Sequence, residues 1–151
     1  MLKETHIIID WTKFYSENEI RNYIFEFNLK IKTVINYPKI KNKEKVLSAF
    51  YNMKVNDFRG ENDFLIYLIE DQKPVYDFRN TSKGIRIVNV KLFDLKQKLR
   101  KKTGGFKIHG TDNIQETKNN LKVLKLFTEH YDEKKYKTLQ EVFKQLNSCK
   151  E

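Results

Sequence analysis

Cysteine, proline and glycine are all scarce in this chain, with one, two and five residues among 151. Cys149 stands alone near the C-terminus, so no intramolecular disulfide forms and no paired-cysteine spacing for zinc exists. So little glycine and proline excludes a linker-rich, collagen-like or low-complexity polypeptide. No apolar run approaches the roughly 20 residues that span a bilayer, and the start lacks an apolar signal region. A cytoplasmic, reducing setting with no membrane partner is therefore expected. The histidines His6, His109 and His130 are far apart in sequence, which gives no metal spacing. A glycine-rich phosphate loop and a ribonucleoprotein signature are absent as well.

What the chain does have is aromatic bulk and positive charge. Hydrophobic residues make up only 39%, but 11 Phe and 8 Tyr offset that low fraction, because each buried ring removes a large apolar area from water. One folded domain over residues 1–151 follows, with a core from about 5 to 128 and a C-terminal helix at about 134–148. Thirty Lys and Arg against 20 Asp and Glu leave a net charge of +10. That excess attracts anions, whether phosphorylated small molecules or nucleic acid. Only five of the cations are arginine, the residue whose planar fork grips phosphate bidentately, so part of the charge serves simply to solvate the surface.

Strands and helices alternate along the chain. His6 to Ile9 reads as a buried strand. Ser16 and Glu19 have capping-box spacing, and Ile20, Tyr23, Ile24 and Phe27 recur with helical period behind them. From Leu29 to Tyr37 apolar and polar residues alternate until Pro38 ends the strand. A helix is expected at Lys43 to Met53, with Val46, Leu47, Phe50 and Tyr51 inward, then a loop at Asn56 to Asp63. Phe64 to Ile69 is the clearest strand, and Val75 to Phe78 is expected to return as its partner. Ile85 to Val90 alternates; Leu92, Leu95 and Leu99 mark a basic helix that Gly104 closes. Phe106 to His109 reads as a short strand, and Thr111-Asp112-Asn113 as the cap of a helix with Ile114, Leu121, Leu124 and Phe127 inward. A last helix is expected at about Tyr136 to Leu146; it carries both signs of charge and does not suit a membrane surface. The pattern implies one sheet with helices packed on it, an α/β sandwich.

Chemistry concentrates at Lys107-Ile108-His109-Gly110-Thr111-Asp112-Asn113, where a strand end runs into a helix start. His109 is placed where strand meets loop, Gly110 leaves backbone uncovered, and Thr111 offers a hydroxyl beside the imidazole. Free amides at the helix start attract an anion. Imidazole near its natural pKa serves as base or nucleophile. The plain alternative is a packed histidine followed by an ordinary helix cap. His6, inside an apolar strand, reads as structural.

The segment Ile108 to Thr117 resembles the active-site segment of nucleoside diphosphate kinases, Ile-His-Gly-Ser-Asp-Ser, with Thr111 in place of the serine. The close similarity runs from Ile108 to Leu121, and more loosely the element order resembles that family's core. The resemblance implies a ferredoxin-like α+β sandwich, with a mostly antiparallel sheet covered by helices. It also implies a phosphohistidine at His109, formed from a nucleotide carried with Mg²⁺. Tyr51 and Phe58 resemble the aromatic residues that border the family's base cleft. The chain departs from the family at four places: Lys13 is the nearest lysine after the first strand, Asn120 replaces a glutamate that orients the histidine, Phe106 replaces an asparagine, and Arg86 and Arg100 lie in the right stretch without matching the register of the phosphate-gripping arginines.

A second basic region, Arg79 to Arg86 followed by Lys91, Lys96, Lys98, Arg100, Lys101 and Lys102, mixes cations with hydroxyls and a glycine. Folded beside His109, it becomes the phosphate-binding wall of a nucleotide pocket, with Arg79, Arg86 and Arg100 as the gripping residues. Otherwise it is a solvated turn and a lysine-faced helix. Two further readings stay open: a non-enzymatic module binding nucleic acid or another polyanion through its lysines, and an interaction protein that keeps the fold without activity. A homo-oligomer is compatible with each.

Overall fold

Two stretches of the sequence, Ile7-Ile8-Ile9 and Phe64 to Ile69, are apolar at every position, as a strand covered on both faces must be. The computed structural model describes residues 3–37, 43–51, 63–104 and 107–127. In chain order its elements are β1 (Glu4–Asp10), α1 (Glu17–Glu26), β2 (Lys30–Tyr37), α2 (Lys43–Tyr51) and β3 (Phe64–Asp71). They continue with β4 (Tyr76–Thr81), β5 (Gly84–Asn89), α3 (Val90–Thr103), β6 (Ile108–Gly110) and α4 (Ile114–Phe127). Four strands form an antiparallel sheet in the order β2-β3-β1-β6, and the two apolar stretches are its central strands. β1, α1, β2, β3, α3 and β6 follow the β-α-β-β-α-β order of a ferredoxin-like sandwich. To that core the chain adds α2 between β2 and β3, the β4–β5 hairpin before α3, and α4 after β6.

Alternate residues of the central strands feed two separate cores. Ile7, Ile9, Phe64, Ile66 and Leu68 pack with Trp11, Leu47 of α2 and Leu121 and Leu124 of α4. Ile8, Leu65, Tyr67 and Ile69 pack with Ile20 and Ile24 of α1 and Leu92, Leu95 and Leu99 of α3. So α1 and α3 cover one face of the sheet, and α2 and α4 the other.

Local signals set the helix ends. Ser16 accepts the Glu19 amide at 3.1 Å while Glu19 accepts the Ser16 amide at 3.3 Å, closing the capping box. Asn89 caps α3 by accepting the Leu92 amide at 3.2 Å, and Gly104 ends that helix at φ 81, where a side chain is disfavoured. Asn113 caps α4 by accepting the Glu116 amide at 2.8 Å.

Two expectations need correction. The segment after Pro74 does not pair with β3, because β1 and β2 already occupy both edges of that strand. Instead β4 pairs with β5 as a separate two-stranded ribbon, closed by the turn at Ser82-Lys83 with Gly84 at φ 98. Nor does β2 alternate strictly: its register shifts between Ile31 and Thr33. The extra residue puts Ile31 and Val34 against one core and Ile35 in the other. β2 is an edge strand, where a bulge and exposed lysines discourage pairing with other chains. The expected helix at Tyr136 to Leu146 and most of the loop at Asn56 to Asp63 lie outside the described residues. Among the described residues no helix is long and apolar enough to cross a membrane.

Candidate functional site

β6 is only three residues long, and its pairing with β1 decides where its side chains go. His109 lies opposite Ile9, so its ring enters the face covered by α2 and α4. Ile108 points to the other core. α4 turns Thr117, Asn120, Leu121 and Leu124 inward at helical spacing, which delivers one amide among apolar neighbours. α2 ends in the adjacent aromatics Phe50 and Tyr51.

These elements meet at the imidazole. His109 Nε2 lies 2.5 Å from Asn120 Oδ1, and Nδ1 lies 3.1 Å from the Tyr51 hydroxyl. The Phe50 ring is tilted at 5.2 Å and the Tyr51 ring stands edge-on at 5.3 Å, so the imidazole is confined as well as bonded. Only 8% of the residue is exposed. A carbonyl oxygen accepts but does not donate, so Asn120 Oδ1 requires a proton on Nε2. Nδ1 of the neutral ring is then the unprotonated nitrogen, and the Tyr51 hydroxyl donates to it.

Thr111 serves a different histidine. Its hydroxyl sits 3.2 Å from His6 Nδ1, accepts the Ile7 amide at 3.1 Å and receives the Thr117 hydroxyl at 2.9 Å. His6 Nε2 in turn lies 3.0 Å from Glu4 Oε1. Glu4 also accepts the Tyr76 hydroxyl at 2.9 Å and the Asn89 amide at 3.2 Å. Asn89 donates to Asp71 at 2.8 Å, and Lys91 completes that pair at 2.9 Å. This buried network ties β1 to β3, the hairpin, the start of α3 and the turn into α4. Burial pushes the Glu4 carboxyl up, but the bonds from His6, Tyr76 and Asn89 outweigh it and hold the group below its ordinary value.

The other residues named from the sequence are spread around the molecule. Arg79 forks onto Asp94 of α3 at 3.1 and 3.2 Å, and Arg86 lies exposed opposite Arg79 on the hairpin. Arg100 donates twice to the Ile108 carbonyl, at 3.0 and 2.9 Å, and so braces β6 just before His109. Lys13 pairs with Asp63 at 2.6 Å. Lys96, expected either in a phosphate-binding wall or on a solvated face, is buried and bonded to Asp112 at 2.7 Å. A Cβ on Gly110 would come within 2.8 Å of Ile8 Cδ1 and 3.1 Å of Lys96 Cδ, so close packing fills the space beside that glycine. Phe58 lies outside the described residues. The structure thus brings Tyr51 to His109, while Arg79 joins the hairpin to α3 and Arg100 joins α3 to β6.

Among known proteins, no family model, curated sequence or solved structure matches this chain.

One feature escapes a reading of the sequence. Glu4 and His6 share a strand face through their two-residue spacing, but nothing local shows that Thr111, 105 residues beyond His6, completes the network. Asn120 has a local signal: it is the polar member of the inward stripe of α4.

Proposed function

We propose that the chain binds a phosphorylated ligand, most simply a nucleotide, and that His109 Nδ1 accepts its terminal phosphoryl group. The observation carrying this reading is the 2.5 Å bond from Asn120 to Nε2, which presents Nδ1 as the ring's lone-pair nitrogen. The similarity of Ile108 to Thr117 to the nucleoside diphosphate kinase segment supports it. So does the position of Asn120, which contacts the ring from the place where that family carries its orienting glutamate.

In the step so defined, the Nδ1 lone pair forms a bond to the terminal phosphorus as the bridging P–O bond breaks and a nucleoside diphosphate leaves. The Nε2 proton stays in place, and Asn120 Oδ1 stabilises the positive charge that develops on the ring. Tyr51 releases Nδ1 and its hydroxyl is then positioned to donate to a phosphoryl oxygen. A second diphosphate takes the group by the reverse attack. Magnesium carried by the nucleotide would supply charge neutralisation for its phosphates; among the described residues no three His, Cys, Asp or Glu side chains form a cage for it.

The test is intact mass and acid-lability of label after incubating the whole chain with γ-labelled nucleoside triphosphate and Mg²⁺. An acid-labile, alkali-stable phosphoryl adduct that is lost in His109→Ala supports the proposal. Nucleotide bound without any adduct contradicts phosphoryl transfer and favours a binding protein.

A second reading has its own observation. Lys98 lies over the rings of Tyr23 and Phe27 at 5.4 and 5.9 Å, Lys102 over Tyr23 at 5.8 Å, and Lys107 over Phe14 at 5.7 Å. Lysines interleaved with aromatics on the α1–α3 side suit single-stranded nucleic acid. Oligonucleotide binding whose affinity falls steeply with salt supports this reading, and a flat salt response rejects it.

A further inference from the structure

The β4–β5 hairpin divides sharply into two faces. Phe78 lies opposite Ile87, Asn80 opposite Ile85, and Tyr76 opposite Asn89, so these six residues share one face. The other face turns toward α3, with Val88 buried and Arg79 held by Asp94. The first face has no charged residue. It leaves Ile85 74% exposed, Phe78 60% and Ile87 57%, with Tyr76 39% exposed at its end. Phe78, Ile85 and Ile87 are neighbours on the ribbon and so form one apolar patch.

We propose that this face is the contact between two copies of the chain, packed ribbon on ribbon about a two-fold axis. The patch offers about 400 Å² per copy, a size at which the largest apolar patch of a surface is often a functional contact. Two copies together bury about 800 Å², the size of a weak, transient association rather than a permanent one. A two-fold contact needs a surface complementary to itself, and an uncharged sheet face of Phe and Ile meets that condition. A polyanion finds nothing on it to neutralise: Arg86 belongs to the opposite face and Lys83 to the turn. Because each copy carries +10, salt that screens their repulsion strengthens the association.

Sedimentation of the nuclease-treated full chain, from low to high micromolar concentration, tests this. The wild type shifts from monomer to dimer as concentration rises, and more readily at high salt. Phe78→Thr combined with Ile85→Thr keeps strand propensity and weakens the dimer about tenfold or more. Ile85→Lys alone, near the turn, gives the same result without touching β4. Dilute thermal unfolding confirms that each variant folds. A wild type that stays monomeric overturns the proposal, as does a dimer unchanged in the folded variants. So does one that dissolves at high salt or on nuclease treatment, which assigns the association to a bridging polyanion.

Discussion

His6 and His109 are on strands paired to one another, yet their surroundings differ in kind. His6 is wholly buried, with a carboxylate on one nitrogen and a hydroxyl on the other, at the hub of bonds that join five elements. His109 keeps a small exposed fraction and is bonded to neutral groups, Asn120 and, from the last residue of α2, Tyr51. An imidazole tied to a buried carboxylate and a hydroxyl that holds two further bonds has no nitrogen to spare for a ligand. One held by an amide and a phenol can present Nδ1 when the phenol moves. The same side chain is thus a fastener in one place and a candidate nucleophile in the other.

The contrast breaks most visibly at Glu4. Glu4→Ala strands His6, the Tyr76 hydroxyl and the Asn89 amide without their acceptor, and is expected to lower stability by about 3 kcal/mol in denaturant titration. The phosphoryl adduct at His109 survives in whatever fraction stays folded. Asn120→Ala does the opposite: adduct formation slows about tenfold as the ring loses its fixed tautomer, with about 1 kcal/mol lost in stability.

Acid titration sharpens the difference further. Because the folded Glu4 carboxyl lies below its ordinary value of 4.5, its contribution is present above that pH and is lost as pH falls through the folded value. Asp10 and Glu116, both raised by burial more than their backbone hydrogen bonds lower them, act in the other direction. For them stability rises as pH falls from the raised value toward the ordinary one. Glu4→Gln is therefore expected to flatten the loss below 4.5 and leave the gain above it, as followed by the denaturation midpoint across the acid range. The smallest effect belongs to the exposed pair of Lys13 and Asp63: Lys13→Ala changes stability by less than about 0.5 kcal/mol in the same assay.

How far these features are legible in the sequence depends on how local their causes are. The capping box at Ser16, the Gly104 stop and the unbroken apolar strands each rest on neighbours within a turn or two, and the chain displays them openly. The partner of Val75 to Phe78 depends on which strand edges are free, and only the sheet order reveals that β3 has none. The bulge in β2 looks like plain alternation until the two cores separate Ile31 from Ile35. At the site, the strand-to-helix position of His109 and the nearness of Tyr51 follow from pattern and resemblance. The diversion of Thr111 to His6 does not, because residues at opposite ends of the chain set it. Lys96 misleads for the same reason: its partner Asp112 lies 16 residues on, across a strand.

The most direct measurement is the protonation pattern of the His109 ring, read from long-range ¹⁵N–¹H correlations at neutral pH and assigned by comparison with His109→Ala. A proton on Nε2 with a bare Nδ1 is the pattern that the Asn120 bond requires. A proton on Nδ1 with a bare Nε2 would mean that the amide does not hold the ring as described, and would remove the lone pair from the nitrogen that the proposed step uses.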